Sequence, residues 1–423
     1  MDKIVQDKPK VTDRGVQNRQ NKPTQNKPKI STRAKFIIIA ILFCIMLFLY
    51  FGLPVIGQDN MRIQPTGHII NFTFDSNPSF HSNDSRNFFF VTRDTMRHHT
   101  SDGNIRWHEN LGFARPVSVS NGDFVAVAEH HGGQLIIVYD TTGEIFRLNF
   151  DHQISFFSIN KTGFLSVILQ YDSGHGIFVF NRQSVATARQ DLFYYSFHQG
   201  PLMIPNMVEV SPDGRYIAIA IIDLNLTLSS SVQFRYLNER DARGTDRGLI
   251  AGQSFSGQII TTMQFMNNNR LVLATASQIM GIQLGPQHAT MQEVWTLELG
   301  NNLTHLEFYG GDRFAFVTGN AMVGDVNPVP VGMLYIYDIN GVQMGNFNVG
   351  RRATHLRMGH NTVLVGAGRT FHAVDSRGHP LWEFTALHDV IDILFLGDTN
   401  TILIAGTTQA EVWQRRRVRN EEL

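Results

Sequence analysis

The chain has 423 residues, equal numbers of basic and acidic side chains and a single cysteine. One cysteine excludes an intramolecular disulfide framework, and 43% hydrophobic against 17% charged residues excludes a chain that is disordered throughout. The charge is unevenly placed: ten Lys or Arg against three Asp give +7 in residues 1–35 and leave −7 for the rest, a net-acidic bulk that argues against nucleic-acid binding.

Residues 1–35 are rich in Lys, Gln, Asn and Pro, with little apolar surface to bury, and read as a basic disordered tail. Phe36 to Leu53 then runs FIIIAILFCIMLFLYFGL without a charge. Eighteen residues at the helical rise span about 27 Å, the hydrocarbon thickness of a bilayer, so residues 36–54 are expected to form one transmembrane helix ended by Pro54. The run is too long for a cleaved signal, and FGLPVIGQDN offers no A-x-A-like site. Cys44 follows Phe43, where a lipoprotein signal would need a small residue. The basic flank precedes the helix, which predicts a cytoplasmic N-terminus and an outer C-terminal bulk. A large outer portion without disulfides suits a bacterial cell surface.

Residues 55–68 are expected to be a stalk, 69–414 the folded domain and 415–423, with Arg415–Arg417 and Arg419, a basic chain end. The clearest unit of the domain is Pro116 to Phe150, PVSVSNGDFVAVAEHHGGQLIIVYDTTGEIFRLNF. Its four short β-rich runs are Val117–Val119, Phe124–Ala128, Leu135–Tyr139 and Glu144–Asn149, separated by Asn121-Gly122, Gly132-Gly133 and Thr142-Gly143 turns. The second run recurs at Phe88–Val91, Phe164–Leu169, Tyr216–Ala220, Leu271–Thr275, Phe314–Thr318, Thr362–Gly366 and Thr401–Ala405, 36 to 55 residues apart. That is the period of propeller blades with inserted loops. The small residues ending each copy suggest a crowded inner strand. The fold expected is therefore all-β, a β-propeller of about eight four-stranded blades preceded by one transmembrane helix. Seven blades is the alternative, because the unit near Met280 is weak. An extra early strand, Ile69–Phe74, is placed to pair into the last blade and close the ring.

Three motifs carry resemblance. Ser211-Pro212-Asp213-Gly214 ahead of Arg215–Ala220 is similar to the turn of WD40-like bacterial propellers, and Ala373 to Trp382 resembles the quinoprotein-type repeat, with a shorter copy at Asp102-Gly103 and Trp107. The order of tail, helix, GDFVAVA, LIIVYDTTGEI, VSPDGRYIAIAIID and a serine-rich loop resembles a family of membrane-anchored propellers of unknown function from Gram-positive bacteria. The resemblance implies fold and topology and carries no activity. The vicinal cysteine pair of some quinoprotein enzymes is absent from the sequence.

No catalytic residue and no cofactor is expected, since no nucleophile elbow, zincin helix or phosphate loop is present. His98-His99 and His130-His131 suggest a metal only if His99 and His131 meet across neighbouring blades, because adjacent residues on a strand face opposite ways. Asp140, Asp338 and Asp375 recur after third strands and are read as turn formers. Leu224–Gly257 reads as the longest irregular segment, and Ser229, Ser230, Ser231, Glu239, Arg240 and Arg243 within it as a partner surface. The function expected is binding or scaffolding at a bacterial envelope, with the lipid bilayer contacted through residues 36–54 and a protein or cell-wall polymer as partner. The alternatives are an envelope hydrolase or lyase working in the propeller funnel, which requires converging carboxylates or histidines there, and a sensor coupled to the basic tail.

Overall fold

The computed structural model describes residues 61–417 except 74–77, 84–86, 130–132, 188–190, 198–201, 226–227, 239–247, 286–289 and 320–331. The expected tail and transmembrane helix lie outside the described residues. Among the described residues, no helix is long and apolar enough to cross a membrane.

The described chain forms eight four-stranded antiparallel sheets, and the weak unit near Met280 is one of them. Strand β1 (Met61–Asn71) comes first and is completed last. Blade 1 is β2 (Ser79–Ser82), β3 (Asn87–Val91), β4 (Thr95–Thr100) and β5 (Ile105–Asn110). Blade 2 is β6 (Pro116–Asn121), β7 (Phe124–Glu129), β8 (Leu135–Asp140) and β9 (Gly143–Asn149). Blade 3 holds β10 (Gln153–Ile159), β11 (Leu165–Tyr171), β12 (Gly174–Phe180) and β13 (Phe193–Phe197), with a helical turn, α1 (Arg182–Ala186), before its last strand. This turn departs from the all-β expectation. Its Asn181 cap accepts from the Ser184 N–H at 2.8 Å, and the Ser184 hydroxyl accepts from the Asn181 N–H at 3.1 Å. Blade 4 is β14 (Met203–Val210), β15 (Tyr216–Asp223), β16 (Ser229–Tyr236) and β17 (Leu249–Ser256). Blade 5 is β18 (Thr262–Phe265), β19 (Arg270–Ala274), β20 (Gln278–Leu284) and β21 (Met291–Glu298), and blade 6 is β22 (Leu303–Tyr309), β23 (Arg313–Thr318), β24 (Met333–Asp338) and β25 (Gln343–Asn348). Blade 7 is β26 (His355–Met358), β27 (Thr362–Ala367), β28 (Thr370–Asp375) and β29 (Pro380–Thr385), and blade 8 is β30 (Asp392–Leu396), β31 (Asp398–Ala405), β32 (Gln409–Arg417) and β1.

Blade 8 takes its outer strand from the start of the domain, as expected, and so ties the two ends of the ring together. The closing strand is longer than the sequence reading allowed: Met61 pairs with Arg417 and Asn71 with Gln409, so residues assigned to the stalk and to a frayed end are ladder residues. The physical reason is that an unpaired β32 would leave a bare edge, which β1 covers along its length.

The hydrophobic core lies between blades. Eight buried clusters correspond to the eight pairs of neighbouring blades, including Ile70, Phe80, Phe90 and Val412 between blades 8 and 1. Each blade therefore buries both faces, and its second strand reads as a continuous apolar run: Phe88 to Val91 and Val125 to Ala128 are all buried. These second strands are not innermost; each is flanked by two strands of its own sheet, and the first strands come together about the axis.

Recurring local chemistry fixes the blades. In the turn from Ser211, the Gly214 N–H donates to the Ser211 carbonyl at 2.9 Å, and Gly214 adopts φ +68°. A Cβ there would stand 2.3 Å from the Phe164 ring, so the position excludes larger residues twice over. Asp140, Asp338 and Asp375 do the turn work expected. Asp140 accepts from the Thr142 N–H at 2.7 Å, Asp338 from Val342 at 2.8 Å and Asp375 from His379 at 2.8 Å. Burial pushes the Asp375 carboxyl up, but these backbone bonds outweigh it and hold the group below its ordinary value. Two tryptophans link neighbouring blades: Trp107 Nε1 donates to the Thr141 carbonyl at 3.1 Å and Trp295 Nε1 to the Ile339 carbonyl at 3.0 Å. Trp382 packs with Phe384 and Trp413 between blades 7 and 8.

Candidate functional site: the central channel

The first strands have a shared pattern, one polar side chain between apolar ones: Phe80-His81, Val208-Glu209-Val210, Met263-Gln264-Phe265, Leu306-Glu307-Phe308 and Leu356-Arg357-Met358. Apolar neighbours such as Phe80, Val208, Val210, Met263 and Leu356 are buried in the clusters between blades. The strands alternate, so the residue between is carried to the other face, next to the axis. The polar residues line a cavity of about 510 Å³ built from seven first strands and the turn after β10. Its wall continues into the turns after the first strands, at Gly122, Lys161, Pro212 and Gly310-Gly311, so the cavity lies toward that face of the disc.

Much of this polar lining joins blades. His81 Nε2 lies 2.7 Å from Ser118 Oγ and its Nδ1 2.9 Å from Ser120 Oγ, so one ring binds blade 1 to two positions on β6. Burial, with Arg357 adding to it, lowers His81 to about 4 and keeps the imidazole neutral. Arg357 spans three blades. Its Nη2 donates to Asp392 Oδ1 of blade 8 at 2.7 Å, and its Nη1 stands 3.7 Å from Glu307 Oε2 of blade 6. Burial lifts Glu307 to about 7; Arg357 opposes the lift and Asp392 adds to it. His305 and His355, at the other end of these strands, are lowered chiefly by burial.

Glu209 differs. Burial raises it to about 8, a bond from Ser158 opposes this only in part, and no cation contributes. At neutral pH it is mainly a carboxylic acid, able to donate as well as accept. The side chains of Gln264, Asn121 and Lys161 also line the cavity, and none makes a hydrogen bond or ion pair to another described residue. Lys161 projects from the turn after β10 in blade 3, and its Nζ lies 3.8 Å from where a Cβ on Gly311 of blade 6 would stand, so it reaches across the mouth.

The residues singled out from sequence lie elsewhere. His99 is buried in blade 1, stacked on Phe88 at 5.1 Å with Nδ1 3.1 Å from the Gly103 carbonyl. His98 stacks instead on Phe89 at 4.8 Å, on the opposite face, as strand alternation requires. His131 lies outside the described residues. Among the described residues, no three His, Cys, Asp or Glu side chains are grouped as metal ligands. Ser229, Ser230 and Ser231 open β16 and are not part of an irregular loop. Ser230 is buried, donates to the Gln258 carbonyl at 2.9 Å and accepts from the Ile260 N–H at 3.1 Å, a link to the segment entering blade 5. Glu239, Arg240 and Arg243 lie outside the described residues. Among its described residues, the segment read as irregular is largely the strands β16 and β17, whose Ser, Gln and Gly content hid the alternation.

The channel residues were missed. The available signal was the polar residue recurring inside short apolar first strands, four to eight residues long.

Three solved structures have similar folds. The C-terminal WD40 domain of Sif2 superposes with a TM-score of 0.55 at 11% identity, covering 83% of this chain and 98% of that one. Sqt1 from Saccharomyces cerevisiae gives 0.50 at 10% identity, covering 85% and 100%. BamB from Moraxella catarrhalis gives 0.49 at 13% identity, covering 84% and 100%. At these identities the likeness to Sif2 and Sqt1 is one of fold alone, and no argument rests on BamB. No curated protein matches the sequence. The profile of a family of unknown function does match residues 75–413, four-fifths of the chain and all but the ends of the propeller, and on that ground the chain belongs to the DUF5711 family.

Proposed function

We propose that this protein is a binding or scaffolding module of a bacterial cell envelope, held in the membrane by residues 36–54 with the propeller outside and docking a protein partner on its rim. The observation that carries the docking part is a row of leucines at one end of blade 4. Met203, Asp223 and Ser229 pair in register across β14, β15 and β16, and the next residues outward are Leu202, Leu224 and Leu228. All three are exposed, at 43%, 43% and 55%. Three large apolar side chains side by side at a blade end form the kind of patch that a partner desolvates. Ser229 adjoins them, which keeps the serine run next to the proposed surface although it is strand. Closed propellers offer such a rim on a stiff support, and the pairing of Arg357 with Glu307 and Asp392, together with the bonds of neutral His81 to Ser118 and Ser120, gives these polar channel groups structural work across blades. The apolar run at Phe36–Leu53 and its basic flank support the anchor and the topology.

A photo-crosslinking residue placed at Leu228 of the full chain, expressed in its own envelope, tests the docking surface. A protein adduct that disappears when Leu202 and Leu224 are changed to Ser supports it. An adduct unaffected by those changes, or adducts with wall polymer alone, refutes it. Carbonate extraction with protease accessibility tests the anchor separately: release of the intact chain into the supernatant would remove the membrane assignment.

A further inference from the structure

We propose that the channel cavity is a binding site for a small uncharged, hydroxyl-rich molecule of the monosaccharide or cyclitol class. The site is separate from the rim of blade 4, so neither reading depends on the other.

Four features carry this. First, the size: about 510 Å³ lies within the roughly 300–1,000 Å³ of small-molecule pockets. Second, the charges. Arg357 is matched by Glu307 and Asp392, and Lys161 is the further cation on the wall. With Glu209 held as the acid, the wall has no strong excess of either sign with which to select an ion. Third, the polar groups: the side chains of Gln264 and Asn121 bond no other described residue, and Glu209 takes a bond from Ser158 alone. Gln264 and Asn121 are carboxamides and Glu209 is a carboxylic acid. Each can donate and accept at once, which is what a sugar hydroxyl also does. An anion would use only their donor side and an ammonium only their acceptor side, whereas a hydroxyl can use both. Fourth, Phe308 and Tyr309, half-buried and packed on the clusters between blades 5 and 6 and between blades 6 and 7, border the cavity and give it apolar wall between these polar groups. The cavity is reached past the turns at Gly122 and Gly310-Gly311, with the Lys161 side chain at its mouth.

The balance of charge on the wall makes the test specific. Full-length protein in nanodiscs is titrated by saturation-transfer NMR with glucose, N-acetylglucosamine and myo-inositol, and with glucosamine and glucuronate as the cationic and anionic counterparts. At least one uncharged probe should bind more tightly than both charged ones. Gln264→Ala and Glu209→Ala should each weaken it about tenfold, the worth of one or two hydrogen bonds. Glu209→Gln, which preserves a neutral donor and acceptor, should retain binding within about threefold, as should Lys161→Gln. Circular dichroism confirms that each variant is folded. Any misfolded variant is replaced by Asn121→Ala, for which the tenfold loss is again expected. Preference for glucosamine with loss in Glu209→Gln, preference for glucuronate with loss in Lys161→Gln, or no uncharged probe bound at millimolar concentration would each overturn the proposal. The last outcome would make this a water-filled channel.

Discussion

Gly281 is the most demanding position in blade 5, and the structure gives the reason. It lies on β20, buried, beneath the indole of Trp295 from β21. A Cβ on Gly281 would stand 2.2 Å from Trp295 Cε2, and one on Gly341 of blade 6 would stand 2.6 Å from Cγ of the same indole. The ring thus fills a slot between two glycines of different blades, stacks on Phe314 at 5.6 Å and donates to the Ile339 carbonyl. Gly281→Ala keeps an ordinary strand backbone, so its cost is steric: overpacking of about 1–3 kcal/mol, plus about 1 kcal/mol for the displaced indole hydrogen bond. The expected total is about 2–4 kcal/mol. Trp295→Ala removes a large, partly buried ring and should cost a similar amount. In the double variant the new methyl enters the vacated slot, so Gly281→Ala should cost less than about 1 kcal/mol there, a coupling of about 1–3 kcal/mol. Urea denaturation followed by circular dichroism measures all four corners of the cycle. If Gly281→Ala costs the same with and without the indole, the indole does not set the space at Gly281.

Other outcomes follow from the channel and the ring closure. Glu209 is raised in the folded state to about 8 from an ordinary 4.5, so its contribution to stability is complete below about pH 4.5 and is lost as pH rises toward 8. Wild type should therefore lose stability relative to Glu209→Gln between pH 5 and pH 8, and a difference that does not vary with pH would refute this. Arg357→Met strands Asp392 and Glu307 between three blades and should destabilise by about 1–3 kcal/mol at pH 8. The cost should shrink at pH 5, where Glu307, raised to about 7, is already protonated; thermal melts at the two pH values check the sign. A chain starting at residue 72 lacks the β1 partner of β32 and should aggregate through that edge, whereas one starting at residue 61 should remain dispersed by light scattering.

The sequence by itself determined the order of the blades and pointed to eight, and the structure removed the alternative of seven by making a full sheet of the unit near Met280. The second strand of each is buried on both faces, so it must be apolar along its whole length, and eight such runs at blade spacing leave little freedom of fold. The Asp turns after β8, β24 and β28 were legible for a similar reason, because each bond spans only two to four residues. The closing strand was legible in kind and its extent was not, since the pairing of Met61 with Arg417 joins positions at opposite ends of the domain. The ring decided the site. Glu209, Gln264, Glu307 and Arg357 are separated by 43 to 55 residues and look like isolated surface residues on short strands until eight blades turn them toward one axis. Burial there sets the protonation of Glu209 and Glu307, and no local pattern reports it. The tertiary structure also moved weight away from His99, whose ring packs against Phe88, and from Ser230, whose hydroxyl joins blades 4 and 5. A histidine pair and a serine run are conspicuous in a sequence for their composition, but which face of a blade each residue occupies depends on the register of its neighbours.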